Sequence, residues 1–297
     1  MTMEQYDSVR RWLLDTRFFG KRSESTYNLY MVALSRFCEF VGKDPDQIIE
    51  ERLEDLQSRD PRRMARYEEL LMEWAKYLED IGLTRGTVGT YCRAVKSFFK
   101  SNWVPLSVRT PKTWVTREDR RMTREDLAKM VEVGDLRGRV LVLFLSQSGM
   151  SISDFLSLRW ADIYDELEAG VEPIHIHVVR EKTMHKYDTF VGSATAEQLR
   201  KYVKKYSPKP SEPLLKICAS TARNILSAMS KKAKIEPKIR PHTCRKFFST
   251  QMKTAGCPNE LVEYWVGHVL AYRGAYFIPS VEEQRKIYSE YEWAVSP

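Results

Sequence analysis

Arg240-Pro-His242-Thr-Cys-Arg245-Lys-Phe-Phe-Ser-Thr250 is the stretch from which the rest of this chain can be read. On a helix, residues three apart share a face, so His242 and Arg245 can reach one ligand together. Further on stand Gly267-His268, and eight residues later Tyr276 within Gly-Ala-Tyr-Phe-Ile-Pro. A paired His and Arg, a second His and a late Tyr suggest phosphoryl transfer to a tyrosine. The Arg and both His can hold or protonate phosphate oxygens, and a phenol can be the nucleophile.

The bulk properties agree with such a substrate. A formal charge of +8 favours a polyanionic partner, of which nucleic acid is the commonest. With 297 residues, 43% hydrophobic and 30% charged, the chain can bury a sizeable core as one large domain or two ordinary ones. No apolar run approaches the roughly 20 residues that span a bilayer. The start, Met-Thr-Met-Glu-Gln-Tyr, lacks a secretory pattern, so a cytoplasmic protein away from membranes is expected. Five cysteines (Cys38, Cys92, Cys218, Cys244, Cys257) show no ligand spacing, and neither a metal nor another cofactor is expected.

Working outward, the first hundred residues carry helical stripes. Tyr27, Tyr30, Leu34, Phe37 and Val41 recur at steps of three and four, with Ser25 as the expected N-cap. Tyr67, Leu70, Leu71, Trp74 and Leu78 form a second stripe; Val88, Tyr91, Val95, Phe98 and Phe99 form a third. Gly42-Lys-Asp-Pro45 and Asp80-Ile-Gly82 stand between them as stops. From Asn102 to Arg121, Pro105, Pro111 and clustered charges break the period, which predicts a basic linker. Thr123-Arg-Glu-Asp126 then reads as a capping-box helix start, Val140–Leu145 as a helix ending near Gly149, and Asp154–Trp160 as a short helix. Ile174, Ile176 and Val178 alternate as in a half-buried strand, with Tyr187–Val191 as hairpin partner and helices from Thr195 onward. The expected fold is mainly α: a helical domain over 1–104, a linker over 105–121, and a mainly helical domain over 122–297 with a small antiparallel sheet.

The motifs together resemble the tyrosine recombinase (phage integrase) family, whose pattern is His-x-x-Arg, then Gly-His, then a Tyr eight or nine residues on. Ser148-Gly-Met-Ser-Ile-Ser-Asp-Phe-Leu-Ser-Leu-Arg-Trp160 is similar to the family's first box, approximately Thr-Gly-Leu-Arg-Ile-Ser-Glu-Leu-Leu-x-Leu-x-Trp. The Arg of that box is one of two that clamp the scissile phosphate, and here its place is taken by Ser151. A guanidinium gives two charge-assisted bonds where a hydroxyl gives one neutral donor. Losing one preorganised donor costs on the order of 3 kcal/mol. Arg180, Arg159, Arg137 and Arg139 are the candidates to compensate, Arg180 first among them.

The resemblance implies a role for each remaining site residue. Arg245 would be the surviving clamp, His242 a proton shuttle or phosphate donor, and His268 a donor to a non-bridging oxygen. Lys182, in the turn Arg180-Glu-Lys-Thr-Met-His-Lys186, would protonate the leaving 5′-oxygen, with Lys186 as its fallback. Tyr276 would attack phosphorus and form a 3′-phosphotyrosyl link, which conserves the phosphodiester energy without ATP or a divalent metal. Phe277 occupies the nine-residue spacing, Tyr272 lies too near His268, and Tyr288 and Tyr291 lie too far.

The resemblance also implies a core-binding N-terminal domain clamping double-stranded DNA with the catalytic one. Lys21, Arg22, Arg93, Lys96, Lys100 and Lys186 are candidate phosphate contacts. The tail from Val281 to Tyr288 would dock on a neighbour, giving a homo-oligomer of two to four protomers on DNA. Such a protein would be a DNA recombinase or integrase of a mobile element. Two rivals stand beside that: an integrase-derived DNA-binding protein that has lost catalysis, and a type IB topoisomerase.

Overall fold

The computed structural model describes residues 3–19 (side chains to 16), 24–111, 121–180, 184–269 and 279–297. It divides into two compact units, Met1–Arg117 and Glu118–Pro297. The chain is mainly helical, with one two-stranded sheet among the described residues.

The first unit contains α1 (Asp7–Leu13), α2 (Glu24–Val41), α3 (Pro45–Leu56), α4 (Pro61–Met64), α5 (Arg66–Asp80) and α6 (Arg85–Ser101). The three stripes supply its core: Leu34 and Phe37 from α2, Leu71 and Trp74 from α5, Val95, Phe98 and Phe99 from α6. Ser25 does not sit at the start of α2; it lies one residue inside, behind Glu24, whose charge suits the positive end of the helix. Gly42 (φ 75) ends α2, and Asp44 caps α3 in a capping box with Gln47. Past α6, Val104 and Leu106 are buried in the same core.

The second unit contains α7 (Arg124–Val133), α8 (Leu136–Ser148), α9 (Ile152–Ser157), α10 (Tyr164–Ala169), β1 (Ile174–Arg180), β2 (His185–Val191), α11 (Ser193–Tyr206), α12 (Ala219–Lys232), α13 (Pro241–Thr254), α14 (Asn259–Trp265) and α15 (Val281–Tyr291). Thr123 and Asp126 form the expected capping box on α7. The buried helix α8 is the central post, with α7, α11, α12 and α13 packed around it. It stops at Gly149, whose φ of 63 favours glycine; a Cβ there would stand 2.3 Å from Phe248 Cδ1.

Two predicted boundaries move. The short helix expected over Asp154–Trp160 starts at Ile152, breaks at Leu158 and resumes as a 3-10 turn over Trp160–Asp162. Tertiary pairing is the reason: Leu158 accepts a backbone bond from Leu214, and Arg159 bridges to Pro213. The hairpin turn expected over 180–186 is shorter, because the ladder pairs Arg180 with His185 and Val179 with Lys186. Ile174, Ile176 and Val178 point into the core as the alternation predicts.

Helix α15 packs on its own unit. Tyr288 is fully buried and its hydroxyl donates to Gln147 O (2.8 Å); Trp265 Nε1 donates to Gln284 Oε1 (2.8 Å); Arg285 pairs with Glu166 at 2.6 Å. All five cysteines are free thiols, Cys218 exposed and the others buried. No helix of the described residues is long and apolar enough to cross a membrane.

Candidate active site

The end of α8, the start of α9, the end of β1, α13 and the end of α14 meet at one place. After the Gly149 turn, Ser151 serves as N-cap of α9: its Oγ accepts from Asp154 N at 3.2 Å and lies 2.8 Å from Ser153 Oγ. Ser151 therefore satisfies an otherwise orphan helix donor.

Asp154, one turn into α9, is buried and accepts from two neighbours. Arg180 Nη2 donates to Asp154 Oδ2 at 2.8 Å, with Nε at 3.3 Å from both carboxylate oxygens; the Tyr187 hydroxyl donates to Oδ2 at 2.8 Å. Arg180 also donates through Nη1 to Gly267 O at 2.9 Å, and its guanidinium carbon lies 5.3 Å from the Tyr187 ring centroid. Gly267 leaves room for this: at φ 71 it favours glycine, and a Cβ would stand 2.7 Å from Tyr187 Cε1 and 2.8 Å from Arg180 Nη2. From α13, Arg245 donates through Nη1 to Gly149 O at 3.0 Å.

The electrostatics follow from this packing. Burial would raise the Asp154 pKa, but the bonds from Arg180 and Tyr187 outweigh it and hold the carboxyl below its ordinary value. The bond to Asp154 raises Arg180 further above its usual value. Arg245 moves the other way: burial disfavours its charge, the nearby Arg180 charge adds to that, and Tyr187 and Asp154 oppose it. Both guanidinia stay protonated at any physiological pH.

His268 follows directly. Its Nδ1 contacts Glu263 Oε2, and Lys253 contacts the other carboxylate oxygen of Glu263. Burial would raise Glu263, but the Lys253 and His268 bonds keep it low. Glu263 thus holds one ring nitrogen, Nδ1, of the half-exposed imidazole. His242 stands exposed on the first turn of α13, one turn before Arg245.

The other candidates divide. Tyr276, Lys182, Lys21 and Arg22 lie outside the described residues. Lys186 lies exposed on β2. Arg93 and Lys100 are exposed on α6, Arg93 bonded to Thr90; Lys96 Nζ is bound to Val108 O. Of the arginines weighed against Ser151, Arg159 donates to Ser211 O, and Arg139 donates to Gly134 O. Arg137 and Arg139 belong to the first turn of α8, a helix of 13 residues, hence roughly 20 Å long, whose far end is Gly149. Arg180, by contrast, is bonded to α9 at Asp154.

Sequence reasoning assigned no role to Asp154, Tyr187 or Glu263. Asp154 had a signal in its box position three after Ser151. Tyr187 had one in the inward phase of its strand. Glu263, five before His268, had none beyond proximity.

Three comparisons bear on this geometry. Residues 120–271 match the model of the phage integrase family. The tyrosine recombinase XerA of Saccharolobus solfataricus is 26% identical over 249 residues, covering 82% of this chain and 78% of that protein. The tyrosine recombinase XerC of Pelotomaculum thermopropionicum is 26% identical over 250 residues, covering 74% and 79%. Among solved structures, XerH site-specific recombinase bound to its difH substrate aligns with a TM-score of 0.59 at 17% identity, over 88% of this chain and 76% of that one. The Tn1549 transposon integrase with circular intermediate DNA gives 0.58 at 17% identity, over 94% and 97%.

Proposed function

The chain belongs to the phage integrase family, and from that premise we propose that it is a site-specific DNA recombinase of a mobile element. It cuts and rejoins double-stranded DNA through a 3′-phosphotyrosyl intermediate on Tyr276. The observation that carries this reading is that Arg245 bonds Gly149 O at the α8–α9 turn while Arg180 ties Asp154 of α9 to Gly267, the residue before His268, all inside the family-matched stretch. Phosphate-binding donors gathered around a helix start suit an anionic transition state.

In the proposed reaction the Tyr276 oxygen bonds to the scissile phosphorus while the P–O5′ bond breaks. His242 takes the phenol proton, and Lys182 delivers one to the leaving 5′-oxygen. Arg245 and His268 hold the non-bridging oxygens as charge gathers there. The reverse step, with a 5′-hydroxyl from the other duplex attacking, rejoins the DNA. The core-binding unit and the catalytic unit hold the duplex through Lys and Arg, including Lys21, Arg22, Arg93, Lys96, Lys100 and Lys186. Two to four protomers assemble on it. With Tyr288 seated in its own unit, α15 meets a neighbour either through its outer face or by exchange.

Ser151 favours a second reading, DNA binding without cutting. A suicide substrate with a nick beside the scissile position, taken from the DNA flanking this reading frame, separates the two. A covalent protein–DNA band in the wild type that vanishes in Tyr276→Phe supports recombination. Retention of the band in Tyr276→Phe removes that nucleophile. Tight binding with no band in the wild type leaves the DNA-binding reading. A band on chromosomal sites alone, with none on the flanking ends, removes the mobile element.

A further inference from the structure

We propose that Arg180 is the second arginine clamp on the scissile phosphate, delivered by strand β1 in place of the missing side chain at Ser151. The inference rests on the recombinase reading above and adds a residue to its machinery.

Two contacts tie the Arg180 guanidinium to the box that carries Ser151 and to the Gly-His turn. It is salt-bridged to Asp154, the residue whose backbone N–H donates to Ser151 Oγ, so its charge sits one helical turn from the substituted position. It is bonded to Gly267 O, on the residue before His268. Arg245, on the His-x-x-Arg helix, is anchored to Gly149 O, two residues before Ser151. Arg180 therefore lies among the first box, the His-x-x-Arg helix and the Gly-His turn.

The donor inventory leaves room for a ligand. A guanidinium has five N–H groups in a planar fork. Nε, one hydrogen of Nη2 and one of Nη1 serve Asp154 and Gly267, which among the described residues leaves one on each terminal nitrogen. Two donors on adjacent nitrogens suit two phosphate oxygens. The charge balance points the same way. Arg180 is paired with Asp154, whereas among the described residues no carboxylate forms an ion pair with Arg245, which donates to Gly149 O instead.

Rigidity is built in as well. Asp154 is fixed by Tyr187, and the Arg180 guanidinium lies over the Tyr187 ring, so the donor is held before substrate arrives. Gly267 serves the same seat, since any side chain there would collide with Arg180 Nη2.

The test compares wild type, Arg180→Ala, Arg180→Lys and the double variant Arg180→Ala with Ser151→Arg on the nicked substrate. Each is run with an ordinary scissile phosphate and with a methylphosphonate, which removes one negative oxygen. Arg180→Ala should slow cleavage on the order of 100-fold on the phosphate, the usual effect of removing one such donor. It should lose much less on the methylphosphonate, and DNA affinity should stay within about threefold. Arg180→Lys, which keeps the charge and the Asp154 pair but not the fork, should fold and still cleave at least about tenfold slower. Ser151→Arg should recover part of the loss in the Arg180→Ala background. Cleavage by Arg180→Ala within twofold of wild type overturns the proposal and leaves the recombinase reading intact. An equal loss on phosphate and methylphosphonate also overturns it, since a merely structural role ignores substrate charge. Absence of a covalent band in the wild type overturns the recombinase reading itself.

Discussion

At Gly149 the backbone turns at φ 63, and an added Cβ would meet Phe248 on α13 and Val266 past α14 at once. Gly149→Ala combines left-handed strain with overpacking, so it should destabilise the catalytic unit by about 3 kcal/mol, read from its urea midpoint. Asp154 makes a prediction in pH. Its folded pKa lies below the unfolded value near 3.9, so the stability it adds is full above about pH 4 and lost as pH falls through the folded value. Asp188 is held low against burial by His175, Tyr264 and His177, and carries the same sign. Asp154→Asn should be less stable at pH 7 yet lose less on going from about pH 4 to pH 2, as denaturation curves at both ends would report. At this scale the sequence was only partly legible. His242, Arg245 and His268 stand out as candidates by spacing and by the family resemblance, because they follow helices and turns that local patterns reveal. Asp154 and Tyr187 could not be given roles, since those depend on α9 and β2 meeting across a fold that periodicity does not describe.

Among the elements, α15 makes the sharpest claim. Tyr288 fills the catalytic core and bonds to Gln147 O, so Tyr288→Ala should cost about 4 kcal/mol. A DNA-free sample should show that loss as a lower melting temperature of this unit. A tail held mainly by a neighbour would leave the dilute protein's melting temperature unmoved. Helices α5 and α6 were legible because each buries one stripe and exposes the other face. Helix α1 was not: seven residues are too few to show a period, and it is held by Asp46, which accepts from Ser8 N at 2.8 Å. The break after α9 was equally hidden, because Leu158 leaves the helix to pair with Leu214, more than fifty residues away.

For the molecule as a whole, the +8 charge would govern how it meets the DNA of the proposed function. Each phosphate neutralised releases counterions, so affinity should fall on the order of a thousandfold between about 50 and 200 mM salt, as fluorescence anisotropy would show. A slope near zero would mean that the Lys and Arg faces do not carry the binding. The two-part organisation was legible in the shift of composition after Asn102, although Val104 and Leu106 still belong to the first core. Those cores also differ in when they can close. Every described core residue of the first unit lies before residue 109, so it can finish while the rest is still being synthesised. The core of the second unit waits for Tyr288 and Val295, both fully buried, and for Ser296, whose hydroxyl accepts from Gln147 Nε2. A ribosome still holding these residues presents an early-folding first unit beside an unfinished second one, so under the proposed function the order of translation would delay strand breakage until synthesis has passed them.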